Sequence, residues 1–361
     1  MSLRTDDQYL LRRRPPSERL VDQSFQHLTI ILASVVAVVL LSILIVVFWG
    51  SLESMGRYGL SFLFTSNWNP VDDEYGAGAA IYGTLLTSLL ALLVAVPLGV
   101  GTAIFITENI IPRRLRDTIG LMVELLAAIP SVVLGLWAIL VMEPFIRPAL
   151  EFLYAKECAP VPIAWSGLIG IGDWSLQLPG FNTVIPNLGC FEINLFGQSL
   201  NFHWLTIFGT APKGRGVIPA VLILVVMILP IITAIARDSL NQVPEKLRQA
   251  AYGVGTTRWG AIVNVILPGA ISGIVGGVML ALGRAMGETM AVTMIIGNSN
   301  NFSFSLLAPG NTIAAMLANQ FGEADGSQVS SLMYAAFVLI LLTLLVNIIA
   351  QWLVKRLSLK Y

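Results

Sequence analysis

Glu245-Lys-Leu-Arg-Gln-Ala-Ala-Tyr-Gly-Val-Gly255, running on through Thr-Thr-Arg-Trp-Gly-Ala-Ile-Val-Asn to Val265-Ile-Leu-Pro268, is a polar, surface-type sequence between two long apolar stretches. Its residue types suit a short, stiff element lying across a membrane surface. Gln249, Ala250 and Ala251 are good helix formers, and their small or flexible side chains let another protein approach closely. Gly255 permits a sharp turn. Leu267-Pro268 is read as the opening of the next membrane helix, where the missing proline N–H is no loss. The plainer alternative is an amphipathic surface helix that merely joins two spans.

The composition agrees with a membrane setting. The chain has 361 residues, 56% hydrophobic and only 12% charged, with a mean hydropathy of +0.79. Soluble domains carry about 25% charged residues, so much of this chain does not face water. Six apolar runs are long enough to cross a bilayer: roughly 28–49, 81–106, 118–142, 217–236, 269–296 and 329–353. The third is interrupted by Glu124 and Pro130. The first is long and no small-x-small site follows Trp49, so it is read as an uncleaved helix. The expected fold is all-α, a polytopic integral membrane protein of about six transmembrane helices.

Lys and Arg set the orientation. With the N-terminus inside, fifteen of them fall on inner segments and five on outer ones, with Arg284 inside a helix. That is a clear positive-inside bias. Both termini are therefore expected in the cytoplasm, and so is the loop around residue 250. Net charge is zero, which gives no bulk argument for nucleic-acid binding.

Residues 1–27 read as a cytoplasmic N-terminal tail, 28–353 as the transmembrane domain and 354–361 as a cytoplasmic C-terminal tail. Within the domain, 143–216 is an outer insertion rich in Pro, Gly, Trp and Asn, and 237–268 is the cytoplasmic loop. Both cysteines, Cys158 and Cys190, fall in the outer insertion. In an oxidising compartment they either bridge or stand as two free thiols too far apart to pair.

The second informative stretch is Gly283-Arg-Ala-Met-Gly-Glu-Thr289, past the middle of the fifth apolar run. A charge at the bilayer centre costs about 2.5–3.5 kcal/mol on insertion scales, so such residues line a path or pair inside the bundle. In a continuous helix Arg284 and Glu288 share one face. Eleven residues make about three turns, so Gly273 and Gly277 extend that face, which should pack on protein rather than lipid. The functional reading makes Arg284, Glu288 and Thr289 part of an anion pathway; the alternative is a structural ion pair. Glu124 is a second acid in an apolar run, either mechanistic or simply packed near the inner surface. Glu108 and Arg237-Asp238 read as solvated helix ends, and Thr84, Thr87 and Ser88 as interhelical hydrogen-bonding groups.

No Gly-x-x-x-x-Gly-Lys-Ser/Thr occurs, and none of the five lysines follows a glycine, so a phosphate-cradling loop is lacking. His27 and His203 have no partners at metal-site spacing. No catalytic constellation, cofactor site or metal site emerges from the sequence.

These motifs carry a family resemblance. Gln249-Ala250-Ala251, three residues, Gly255, nine residues, then Val265-x-Leu267-Pro268 is similar to the EAA loop by which ABC-importer permeases dock on their ATPase. Gln stands here for the usual Glu, and Val265 for the usual Ile. From about residue 50 the chain resembles the phosphate permeases of the PstC type. The stretches that carry this are Tyr75-Gly-Ala77, Ile81-Tyr-Gly-Thr-Leu85, Ala95-Val-Pro97, Glu124-Leu-Leu-Ala-Ala-Ile-Pro-Ser131, Ala251-Tyr-Gly-Val-Gly255, Leu282-Gly-Arg-Ala-Met-Gly-Glu-Thr-Met-Ala-Val292 and Ile295-Ile-Gly-Asn298.

The resemblance implies a type I ABC-importer permease fold in a bacterial inner membrane. It implies a related second permease (PstA type), a pair of ATPase subunits (PstB type) that use ATP and Mg, an extracytoplasmic phosphate-binding protein (PstS type), and phosphate as cargo. Under it, Arg284 and Glu288 match the family's intramembrane charged pair, and Gln249, Ala250, Ala251, Gly255, Leu267 and Pro268 form the coupling element. The insertion at 143–216 is longer than the family's usual one. Two other readings stay open on sequence: a secondary transporter or channel using Arg284 and Glu288 without ATP, and a membrane scaffold or sensor of anion status.

Overall fold

A computed structural model describes residues 16–108, 112–154, 190–195, 198–203 and 214–357. Among them, six helices are long and apolar enough to cross a membrane: Gln23–Tyr58, Gly78–Thr107, Ser131–Pro148, Val217–Asn241, Arg258–Met286 and Ser327–Trp352. The described residues are all-α apart from two small antiparallel hairpins. One pairs β1 (Trp68–Asn69) with β2 (Glu74–Tyr75), and the other pairs β3 (Cys190–Leu195) with β4 (Gln198–His203).

The bundle is organised around α7 (Val217–Asn241), the most deeply buried of the six. Against it lies α3 (Gly78–Thr107), whose buried Ala91, Ala95, Gly99 and Ala103 recur every fourth residue and form a stripe of minimal side chains. A Cβ at Gly99 would lie 2.8 Å from Ile232 Cγ2 of α7. Where lipid is as apolar as the core, close backbone approach of this kind holds helices together. Helix α10 (Leu267–Met286) approaches α7 through Gly273 and Gly277, whose added Cβ atoms would meet Ser239 Oγ at 2.2 Å and Ile235 Cβ at 2.9 Å. The glycine face expected from sequence is thus packed on protein.

The first N–H groups of α7 find carbonyls elsewhere in the chain: Val217 N donates to Ala308 O (3.3 Å) and Ile218 N to Leu306 O (3.1 Å). The loop that follows Gly297 is thereby stitched to α7, satisfying donors that a helix start leaves orphaned. The same loop is fixed to α3, because Thr84 Oγ1 accepts from Ile313 N at 3.0 Å. Thr87 and Ser88 instead donate back to carbonyls within α3.

Helix α1 (Pro16–Tyr58) is the outlier: its most apolar window is wholly unburied in this chain. It is fastened to α13 (Ser327–Leu357) near one end, where Ser54 Oγ lies 2.9 Å from Ser331 Oγ and Ser54 N donates to Ser330 Oγ at 3.1 Å. Phe48 and Phe337 meet nearly two turns further along, with centroids 5.4 Å apart.

Several boundaries differ from the sequence reading. Residues 16–27 of the expected tail already belong to α1, and 354–357 of the other tail to α13. The third span is not 118–142. Helix α4 (Arg113–Ala127) ends before Pro130, and the apolar helix starts at Ser131, running through α5 (Ser131–Trp137), a π-helical turn (Ala138–Met142) and α6 (Glu143–Tyr154). Proline has no N–H for the preceding turn, and it pushes its predecessor out of helical geometry, so the run divides there. Residues 143–154 therefore extend the third membrane helix rather than open the insertion. Where the chain returns at Gly214, Arg215 Nε reaches Glu143 Oε2 at 3.4 Å. Cys158 lies outside the described residues, and so does its pairing with Cys190.

The fifth helix also starts earlier than expected. It opens at Arg258, where the Thr257 hydroxyl accepts from Gly260 N at 3.1 Å, a side-chain cap of the usual kind. It then passes without interruption through α9 (Arg258–Ala261) and a second π-helical turn (Ile262–Ile266) into α10. Pro268 is therefore inside a continuous helix rather than at its start. The π-turn absorbs the clash its ring would make with the carbonyl four residues earlier. The connection proper is short, 242–257, and contains α8 (Glu245–Gly253).

Candidate functional site

Helix α10 stops at Met286, and a new short helix, α11 (Met290–Ile295), begins after Gly287, Glu288 and Thr289. Arg284 sits in the last turn of α10 and is exposed. Glu288 is buried, at 9% exposure. Its Oε1 accepts from Ala291 N at 3.4 Å. The two charges therefore do not stand one turn apart on one helix face, as the continuous-helix reading requires. Among the described residues no ion pair joins Arg284 to Glu288 or to another carboxylate.

The arrangement has its own electrostatic logic. A helix end exposes carbonyls and carries partial negative charge, which a cation in the last turn complements; a helix start is the opposite and favours a carboxylate. Arg284 and Glu288 complement the two halves of the broken helix. The guanidinium is left open to whatever fills the space beside α10. Thr289 contributes its carbonyl to α11, accepting from Thr293 N (2.9 Å) and Thr293 Oγ1 (2.6 Å). Broken membrane helices whose ends face a cavity are a recurrent way to build ion and anion sites.

At the other end of α10, the 242–257 connection presents a mostly exposed surface: Leu247, Gln249, Ala250, Tyr252, Val254 and Gly255 all face outward. Gly255 has φ +82°, a left-handed conformation that glycine adopts without penalty. Its N–H donates to Tyr252 O at 3.0 Å, and Thr256 Oγ1 donates to Ala251 O at 2.6 Å, closing a compact turn. Ala251 faces inward, buried at 5% exposure. Leu267 and Pro268 are half-buried in the following helix. Of the expected coupling residues, Gln249, Ala250 and Gly255 are thus on the exposed surface, Ala251 is buried beneath it, and Leu267 and Pro268 lie in the helix that follows.

Glu124 is not a buried membrane acid. It lies on the amphipathic α4, its side chain 57% exposed, with Oε1 accepting from Arg237 Nη1 at 3.0 Å. This pair borders a cavity of about 130 Å³ between α3, α4 and α7, lined otherwise by apolar and small groups such as Ile106, Gly120 and Pro230.

Residues 95–359 match the family described as binding-protein-dependent transport system inner membrane component. Over 340 residues the chain is 40% identical to the phosphate transport system permease protein PstC of Mesorhizobium japonicum, covering 94% of this chain and 91% of that one. The chain belongs to this permease family. The PstC protein of Pasteurella multocida is 37% identical, with 97% of this chain and 99% of that one covered. A probable PstC of Methanocaldococcus jannaschii is 29% identical over 94% and 95%. Among solved structures, a chain of a bacterial ABC transporter involved in import of the acidic polysaccharide alginate aligns with TM-score 0.50 at 13% identity. It covers 96% of this chain and 100% of that one, a likeness of fold alone. As a member of this family the chain is a multi-pass inner-membrane permease subunit of an ABC transport system with further subunits, and is not itself an enzyme.

Sequence reasoning about the permease missed three residues that the structure brings into play. Glu108 and Arg237 are not solvated helix ends: Glu108 receives a hydrogen bond from Arg248, and Arg237 holds Glu124. Arg248 stands within the conspicuous loop but gives no sign in sequence that it points inward. The available signal was a single carboxylate or guanidinium directly after a long apolar helix, where a charge has few solvated neighbours and tends to find a partner.

Proposed function

We propose that the chain is the transmembrane permease subunit of an ATP-driven inorganic phosphate importer, forming half of the translocation pathway with a related permease of the PstA type. Arg284 carries this reading: an exposed guanidinium in the last turn of a membrane-spanning helix, at a helix break, with no carboxylate against it among the described residues. Such a group attracts an oxyanion and offers it forked hydrogen bonds. Glu288, Thr289 and Glu124 belong to the same pathway and its inner approach. Glu288 keeps the break in shape by accepting from Ala291 N in the first turn of α11, and Glu124 acts with Arg237 beside the α3–α4–α7 cavity.

Gln249, Ala250 and Gly255 form the docking surface for an ATPase pair of the PstB type, supported by Ala251, Leu267 and Pro268. The ATPases use ATP and Mg; this chain holds no cofactor. Both termini and the α8 connection lie on the cytoplasmic side, in keeping with the excess of Lys and Arg there. A phosphate-binding protein of the PstS type delivers cargo on the other side. Access alternates as the ATPases close and open beneath α8.

The test is labelled phosphate uptake into proteoliposomes holding the full complex, with ATP inside and binding protein outside. Gly255→Trp should abolish ATP-dependent uptake with the subunit still folded. Uptake indifferent to ATP and to this substitution would overturn the reading in favour of a secondary transporter.

A further inference from the structure

The inward face of α8 is narrow. Glu245, Lys246, Leu247, Gln249, Ala250 and Tyr252 are exposed, leaving Arg248 and Ala251, three residues apart, to hold the helix to the bundle. Arg248 is the more elaborate of the two. Its side chain is only 14% exposed and that of its partner Glu108 only 13%. Nη1 donates to Glu108 Oε1, and Nη2 donates to Leu240 O at 2.7 Å. Glu108 is the residue directly after α3, and Leu240 lies in the last turn of α7. One guanidinium therefore joins α8 to the ends of two membrane helices. On its other side, α7 is tied to α4 by the 3.0 Å contact of Arg237 with Glu124.

We infer that Arg248 and Glu108 form a clasp that converts displacement of α8 into movement of α3 and α7, so that both are positioning residues for coupling. The inference rests on the reading of α8 as the ATPase-docking element. Its physical ground is directional. A small apolar contact such as that at Ala251 resists separation but lets surfaces slide. A planar guanidinium that forks to a carboxylate and a carbonyl fixes distance and direction together. The clasp is also shielded from solvent, so salt and water weaken it less than an exposed pair. A load applied to the exposed face of α8 passes through one of these hydrogen bonds to the end of α3 and through the other to the end of α7.

The experiment uses the complete complex in proteoliposomes, with phosphate uptake and ATP hydrolysis measured in the same vesicles. Glu108→Ala should keep ATP hydrolysis within about twofold while phosphate moved per ATP falls about fivefold or more, the pattern of a lost transmission rather than a lost active site. Glu108→Asp, which keeps the carboxylate, should recover at least half of that ratio. Arg248→Lys, which keeps the charge but not the fork, should fall between. If Glu108→Ala does not assemble, the neutral and equally large Glu108→Gln carries the test by the same ratio. An unchanged phosphate-to-ATP ratio, or a parallel fall of both activities that Glu108→Asp does not rescue, overturns the clasp. Gly255→Trp run alongside separates the two ideas. Normal uptake there sinks the docking reading itself, whereas uptake lost there with an unchanged ratio in the Glu108 variants sinks only the clasp.

Discussion

Gly276 and Gly277 are neighbours in α10, and the structure assigns opposite signs to the same substitution at each. Gly276 is exposed, and a Cβ there would meet nothing within 4 Å. Gly276→Ala should therefore stabilise the subunit by about 0.5–1 kcal/mol, chiefly by narrowing the unfolded chain's choices. A Cβ at Gly277 would lie 2.9 Å from both Cβ and Cγ2 of Ile235 on α7. Carbon atoms prefer about 3.5–4.0 Å. Ile235 cannot rotate its own Cβ away, and a β-branched side chain in a helix has essentially one χ1 well. The helices must separate instead, and overpacking of this kind costs about 1–3 kcal/mol. Set against the same propensity gain, Gly277→Ala should end about 1–3 kcal/mol less stable than Gly276→Ala. Reversible unfolding of the isolated subunit in mixed micelles of mild detergent and dodecyl sulfate, followed by far-UV circular dichroism, gives both free energies. Equal stabilities for the two variants would refute the close approach of α10 to α7.

The double variant Ser54→Cys with Ser331→Cys should cross-link within one chain under mild oxidation, since the two hydroxyl oxygens are 2.9 Å apart; a band shift on non-reducing gels reports it, and cross-links only between chains would contradict the α1–α13 contact. Thr257→Ala removes the cap of α9 and should destabilise that helix start by about 1 kcal/mol, read as faster hydrogen exchange at Arg258–Ala261 with the rest of α10 unchanged. Arg284→Ala should lower phosphate uptake by about tenfold or more while the complex still assembles, and Arg284→Lys should be intermediate; loss of assembly in Arg284→Ala would make the residue structural.

The parts of this fold that were legible in sequence depend on local composition. Apolar length marks a span whatever it packs against, so six helices could be counted. The Gly273–Gly277 strip could be placed because helical periodicity alone puts both residues on one face. The third span was misplaced because α4 adds enough apolar residues to the run before Pro130 to blur its start. Its exposed Leu115, Leu121, Met122 and Leu125 alternate with Arg114, Arg116, Asp117 and Glu124, a helical-period pattern of an amphipathic helix rather than a span. The break at Gly287 was hidden for the opposite reason: glycine is common inside membrane helices and marks an end only in context. Arg248–Glu108 and Arg237–Glu124 join residues 140 and 113 positions apart. Such partners are chosen by tertiary packing, and nothing in the sequence around either residue names the other.

The two π-helical turns have a bearing on aim. Each ends two residues before a proline, Pro144 in one case and Pro268 in the other. A π-turn accommodates one extra residue, and one residue of helix is about 100° of rotation. Everything downstream of Ile262–Ile266 is therefore out of phase with Arg258–Ala261 by more than a quarter of a turn. Without that offset, Gly273 and Gly277 would swing away from α7, and Arg284 would sweep round the helix with them. The bearing of the guanidinium in the last turn of α10 is thus set several turns away, by the way the chain makes room for a proline ring.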